Sequence, residues 1–103
     1  MITITAVLRA KPGQADSLHD ALCAVAESVA KHEPDTVGFY ISRDLADPEI
    51  FTTYERFTTE AAKDAHNGSA AVADFFAMAD VLIEGPVILQ TCREISCKPL
   101  DNM

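Results

Sequence analysis

Two hydrophobic periodicities alternate along this chain, and their order constrains the fold more than any other feature. Ile2, Ile4, Ala6 and Leu8 recur at every second position, the period of a strand with one apolar face. Lys11-Pro12-Gly13-Gln14 breaks that strand, because Pro has no N–H for a ladder and Gly accepts the backbone angles of a turn. Ala15, Leu18, Leu22, Val25 and Val29 then recur at steps of three and four, which predicts a helix running to about His32, with Asp16, Asp20, Glu27 and Lys31 off its apolar stripe. Glu33-Pro34-Asp35 ends the helix, since the residue before Pro is pushed out of the α region.

Residues 36–42 and 50–57 have strand composition, and Asp47-Pro48 between them marks the turn of an antiparallel hairpin. Thr58 or Thr59 can cap a second helix, and Glu60 suits its positive end. Asn67-Gly68-Ser69 interrupts this helix just after His66, and a helical pattern resumes over 70–82 with Val72, Phe75, Phe76, Ala79 and Leu82 as its apolar side. Gly85-Pro86 closes it, and 87–95 is expected as a last strand.

Strand, helix, strand, strand, helix, strand is the order of an α+β, ferredoxin-like βαββαβ domain: a four-stranded antiparallel sheet with its helices on one face. One such domain is expected over 1–97, followed by a short tail at 98–103. Two helices cover one sheet face only. The other side of the first strand carries Thr3, Thr5 and Val7, and Tyr54 lies opposite Phe51 and Phe57 on the third. A homodimer burying the uncovered face is the expectation.

The formal charge of -8 repels phosphate backbones and anionic headgroups, so neither nucleic acid nor a membrane surface is expected as a partner. No apolar run approaches the roughly 18 residues of a membrane span, and no secretory leader is legible. A cytoplasmic location is expected. Cys23, Cys92 and Cys97 form no CxxC pair, and nucleophilic catalysis is not expected of them; Cys23 beside the helix stripe reads as a small buried hydrophobe. His19 and His32 read as surface residues, and no metal-ligand spacing links the three histidines.

Among chemistry-bearing residues, His66 stands at a helix C-terminus, where a protonated ring is favoured. It suits either a general base or a structural tie to Glu55. Glu55 lies inside a strand beside aromatic residues and, if turned toward the helices, requires a partner. Arg56 then points to the opposite face, solvated or at a dimer interface. Tyr40 and Tyr54 can share a face on neighbouring strands, where their phenols suit an aromatic ligand or serve packing. Phe39, Phe51, Phe57, Phe75 and Phe76 are candidates to line an apolar cavity or simply to fill the core.

Glu33-Pro34-Asp35-Thr36, Arg43-Asp44, Asp47-Pro48, Tyr54-Glu55, Ala61-Ala62 and Ala65-His66, with Lys11-Pro12-Gly13 ahead of the first helix, form a pattern that resembles the antibiotic biosynthesis monooxygenase family across most of residues 1–90. The resemblance implies a dimeric α+β barrel with a pocket between sheet and helices in each protomer. It also implies small enzymes of varied chemistry: cofactor-independent oxidation of phenols or quinols, haem degradation, or isomerisation of a phosphorylated sugar. Asp35 replaces the usual Gly, Phe57 follows where many members have Trp or Tyr, and the chain has no Trp. The first strand offers Thr5, Ala6 and Val7 where the haem-degrading branch has Asn, so that branch is disfavoured.

The expectation is thus a cofactor-independent monooxygenase taking a small quinol or phenol and dioxygen, with no cofactor and no metal. His66 is its base or anchor, Glu55 orients it, Tyr40 or Tyr54 positions the ring, and the five Phe residues line the pocket. Two alternatives stay open: an isomerase of a small phosphorylated carbonyl compound, for which Arg9, Arg43 and Arg93 are the strand cations, and a non-catalytic ligand-binding dimeric module.

Overall fold

The period-two stretch at the start forms β1 (Ile2–Arg9), and the three-and-four stripe forms α1 (Ala15–His32), in a computed structural model that describes residues 1–98. The hairpin follows as β2 (Thr36–Arg43) and β3 (Ile50–Phe57), then α2 (Glu60–Asn67), α3 (Ala70–Ala77), the short α4 (Ala79–Leu82) and β4 (Ile88–Arg93). The strands form one antiparallel sheet in the order β2-β3-β1-β4, which is the ferredoxin-like arrangement.

Register fixes which residues meet. Ile4 pairs with Glu55, Ala6 with Thr53 and Leu8 with Phe51 across β1 and β3, while Phe39 of β2 lies beside Glu55 from the other side. By strand alternation these side chains face the helices. There Leu8, Leu18, Leu22, Val25, Val29, Phe51 and Phe75 belong to the core cluster, which Ala6, Ala10, Ala21, Leu82 and Ile83 complete. Thr59 rather than Thr58 caps α2, its hydroxyl accepting the Ala62 N–H, and Ser69 caps α3 in the same way through the Val72 N–H.

Four expectations change. The second helical stretch is not continuous over 70–82 but breaks at Met78, which closes α3 and opens α4. Phe76 leaves the apolar side: one helical step of 100° carries it away from buried Phe75, edge-on to that ring at 5.4 Å and 51% exposed. Cys23 is likewise exposed, since it follows buried Leu22 on α1, and its Sγ lies 4.0 Å from His19 Nδ1. The last strand is shorter than 87–95, ending at Arg93. Of the polar tail at 98–103, only Lys98 falls within the described residues.

Candidate functional site

Three segments far apart in sequence meet at one imidazole. His66 sits in the last turn of α2, 3% exposed, and β3 supplies Glu55, 7% exposed, from the helix-side face of the sheet. The turn after α1 supplies Glu33. That turn is tightly tied: the Glu33 N–H donates to the Val29 carbonyl, the Thr36 N–H donates to the Glu33 carbonyl, and the Thr58 N–H donates to the Asp35 carbonyl. The Thr36 hydroxyl donates to Glu33 Oε1 at 2.8 Å, fixing the carboxylate itself.

Each ring nitrogen of His66 faces one carboxylate. Nδ1 lies 2.8 Å from Glu33 Oε1, and Nε2 lies 3.2 Å from Glu55 Oε1. Glu55 Oε2 accepts the Thr53 hydroxyl at 2.8 Å. Phe57 and Phe39 close around the imidazole with centroids 5.3 and 5.6 Å away. Burial alone opposes the charged ring and is the largest single influence, yet the hydrogen bonds to Glu55 and Glu33 outweigh it and hold the His66 pKa above its ordinary 6.5.

This imidazole stands between two hollows. On the sheet side is an apolar cavity of about 70 Å³, lined by Ala6, Phe39, Phe75 and Val72 among others, with Thr53, Glu55, His66 and Asn67 as its polar wall. Phe76 and Leu89, both about half exposed, also line it. On the solvent side is a hollow of about 370 Å³ bordered by Glu33, Pro34, Thr36, Ala62 and Ser69. Among the described residues, no Lys or Arg lines either hollow. Among the described residues, no group of three His, Cys, Asp or Glu side chains is placed to hold a metal ion, and no helix is long and apolar enough to cross a membrane.

A model of the antibiotic biosynthesis monooxygenase family matches residues 1–78, from β1 through the end of α3. The chain belongs to this family. No curated protein matches it. Among solved structures, it is similar to a Nitrosomonas europaea protein of unknown function at 27% identity, with a TM-score of 0.83 and 94% of this chain and 91% of that one covered. A Mycobacterium tuberculosis protein aligns at 18% identity and a TM-score of 0.85, covering 94% and 97% of the two chains. A crystal structure of an antibiotic biosynthesis monooxygenase aligns at 18% identity and 0.82, covering 92% and 99%. At such identities the second and third likenesses concern the fold.

Within this family framework the expected site residues separate into two groups. His66 and Glu55 meet, and Phe39, Phe75 and Phe76 line the cavity beside them. Tyr40 and Tyr54 do share a face, directly opposite each other with ring centroids 6.2 Å apart, but it is the outer face of the sheet, remote from the imidazole. Strand alternation requires this, since Tyr54 adjoins inward-facing Glu55. Phe51 and Phe57 are fully buried packing residues outside the cavity lining.

Arg56 is neither solvated nor free. Its Nε and Nη2 grip Glu94 at 2.9 and 2.8 Å, and the Tyr54 hydroxyl donates to the same carboxylate at 3.1 Å. The hydrogen bond from Arg56, ahead of an opposing desolvation and the Tyr54 hydrogen bond, holds Glu94 down to about 2. The phosphate-binding candidates are engaged elsewhere: Arg9 pairs with Asp47 at 3.0 Å, Arg43 donates to the Pro48 carbonyl at 2.6 Å, and Arg93 lies on β4 outside both hollows. Glu33 is the site residue that sequence reasoning missed. Its local signal is a Glu three residues before a Thr across a Pro turn, a spacing that lets the hydroxyl clamp the carboxylate.

Proposed function

We propose that this chain is a cofactor-independent monooxygenase of a small phenol or quinol, acting in the cytoplasm, where cysteines stay reduced. The observation that carries this reading is a carboxylate–imidazole pair forming the polar wall of an otherwise apolar cavity. Such a wall can take a proton from an aromatic hydroxyl and hold the resulting anion, while the apolar lining excludes water from the reacting ring.

For a quinol the balance is simple. One oxygen atom enters the ring, the other leaves as water with two substrate hydrogens, and the product is a hydroxyquinone. All four electrons come from the substrate. His66 and Glu55 manage the proton, and Phe39 and Phe75 pack against the ring. Tyr40 and Tyr54 lie outside this scheme.

At about 70 Å³ the cavity is far smaller than the roughly 300–1,000 Å³ of ordinary ligand sites, so substrate binding entails widening it. With no Lys or Arg among the described residues of its lining, the cavity does not suit a phosphorylated substrate. A second copy is assigned to the outer sheet face, where Tyr40, Tyr54 and Ile88 are exposed, and sedimentation equilibrium tests that assignment.

Oxygen uptake by metal-free protein against a panel of quinols and naphthols tests the activity. Uptake with at least one of them, and its loss in His66→Gln, is expected. No uptake across the panel, or full activity in that variant, refutes the oxygenase and leaves the non-catalytic module.

A further inference from the structure

His66 is the only described side chain that borders both hollows. Its two nitrogens are bonded to carboxylates on opposite sides of one wall, Glu55 inward and Glu33 outward. A tie between helix and sheet needs a single such contact. Two contacts, each opening onto a different compartment, are the arrangement of a relay. We propose that Glu55, His66 and Glu33 form a proton path from the inner, apolar cavity to the outer hollow, with Glu33 as its outer port.

The geometry grades the two links. The outer contact is short at 2.8 Å, and Thr36 holds the same Glu33 oxygen, so the port is fixed in place. The inner contact is longer at 3.2 Å and lies on the cavity wall, where a ligand hydroxyl can insert. The titratable groups facing the ring come from two places: Glu33 after α1, and Glu55 on β3. From β2 and β3 the other neighbours are the rings of Phe39 and Phe57.

The path is balanced as follows. With the ring neutral and its proton on Nδ1, a proton leaving a cavity hydroxyl reaches Nε2 directly or through Glu55. The Nδ1 proton then passes to Glu33 and on to water in the outer hollow. When reduced dioxygen takes the Nε2 proton back to form water, Nδ1 is recharged through Glu33, so one proton leaves and one returns. This use in turnover rests on the oxygenase reading, whereas the path itself does not. Glu33 never meets substrate, and it is a positioning residue that acts through His66.

The test is hydrogen exchange of the His66 ring N–H groups with water, followed by NMR in the ¹⁵N-labelled, ligand-free protein. Glu33→Gln keeps an acceptor for Nδ1 and for the Thr36 hydroxyl but cannot take a proton. It is expected to slow ring exchange by roughly a hundredfold, the lower end of what a positioned proton acceptor contributes. Glu33→Asp, which keeps the charge and withdraws it from the ring, should slow exchange in the same direction. Glu55→Gln should leave exchange unchanged, because the outer port remains.

Exchange unaltered by both Glu33 variants, or slowed equally by Glu55→Gln, overturns the path. In oxygen uptake, Glu33→Gln should lower kcat and shift its pH profile with KM held. If wild type takes up no oxygen, the oxygenase fails while the exchange result still decides the path. If kcat and its pH profile are unchanged although exchange is slowed, the use of the path in turnover is overturned.

Discussion

Removing the imidazole should cost this fold more than removing any exposed charge, and the cost should be recoverable by removing its inner partner as well. His66 and Glu55 are both buried, with side chains 4% and 9% exposed. In His66→Ala the Glu55 carboxylate keeps the Thr53 hydroxyl but faces an apolar cavity without a countercharge. Breaking a buried pair from one side costs about 3–5 kcal/mol. Against a total stability of about 5–15 kcal/mol for a domain, that is a large fraction.

With a urea slope of about 2 kcal/mol/M, a loss of about 4 kcal/mol lowers the unfolding midpoint by about 2 M. The double variant His66→Leu with Glu55→Leu removes both charges and fills the wall. Replacing a buried pair with apolar residues is often neutral, and here the Thr53 hydroxyl loses its acceptor at about 1–3 kcal/mol. The double variant should therefore be more stable than the single one. Urea unfolding at neutral pH, followed by far-UV circular dichroism, measures all three proteins. A single variant within about 1 kcal/mol of wild type, the worth of an exposed pair, or a double variant as unstable as the single, would refute the electrostatic account.

Two smaller effects follow from the same contacts. Because His66 titrates above 6.5 in the folded chain, its charge stabilises the fold fully below that value and progressively less as pH rises through the folded-state pKa. The gap in urea midpoint between wild type and His66→Gln should thus be widest on the acidic side and shrink above neutrality, and a gap that grows with pH would contradict the assignment. At the other end of α2, Thr59→Ala removes the hydroxyl that accepts the Ala62 N–H at 3.1 Å, which should cost about 1 kcal/mol in the same urea assay. Thr58→Ala should leave stability unchanged, because Thr59 is the cap.

Much of the fold was legible because periodicity reports facing. Ile4, Ala6 and Leu8 declare one side of β1, and the spacing of Leu18, Leu22, Val25 and Val29 declares one side of α1, so the element order and the inner face followed directly. The meeting of His66 with Glu55 was legible for a related reason: a carboxylate on the inner face of a strand must find a partner. What escaped were features set by a single step of geometry or by long-range contact. Tyr54 adjoins Glu55, so alternation sends its phenol outward. Phe76 and Cys23 each follow a buried residue, so one helical step carries them off the stripe. Glu33 is 33 residues from His66, and the Pro after it advertises only the end of a helix, not the acceptor held beside it.

The position of the cavity follows from what the helices leave uncovered. Every residue of β4 is exposed, and Leu89 lines the cavity from this edge strand of the sheet. By contrast α1 clamps the middle of the sheet through Leu18 and Leu22 against Leu8 and Phe51, the best-buried part of the molecule. Widening the cavity by displacing α1 would expose that core. α3 is a short helix bounded by breaks at Gly68 and Met78; it brings Phe75 into the same core, while Phe76 on its open side is half in water. The fold therefore holds the imidazole from its well-packed side, through Glu33 after α1 and Glu55 on β3, and leaves the exposed β4 edge as the least covered side of the cavity.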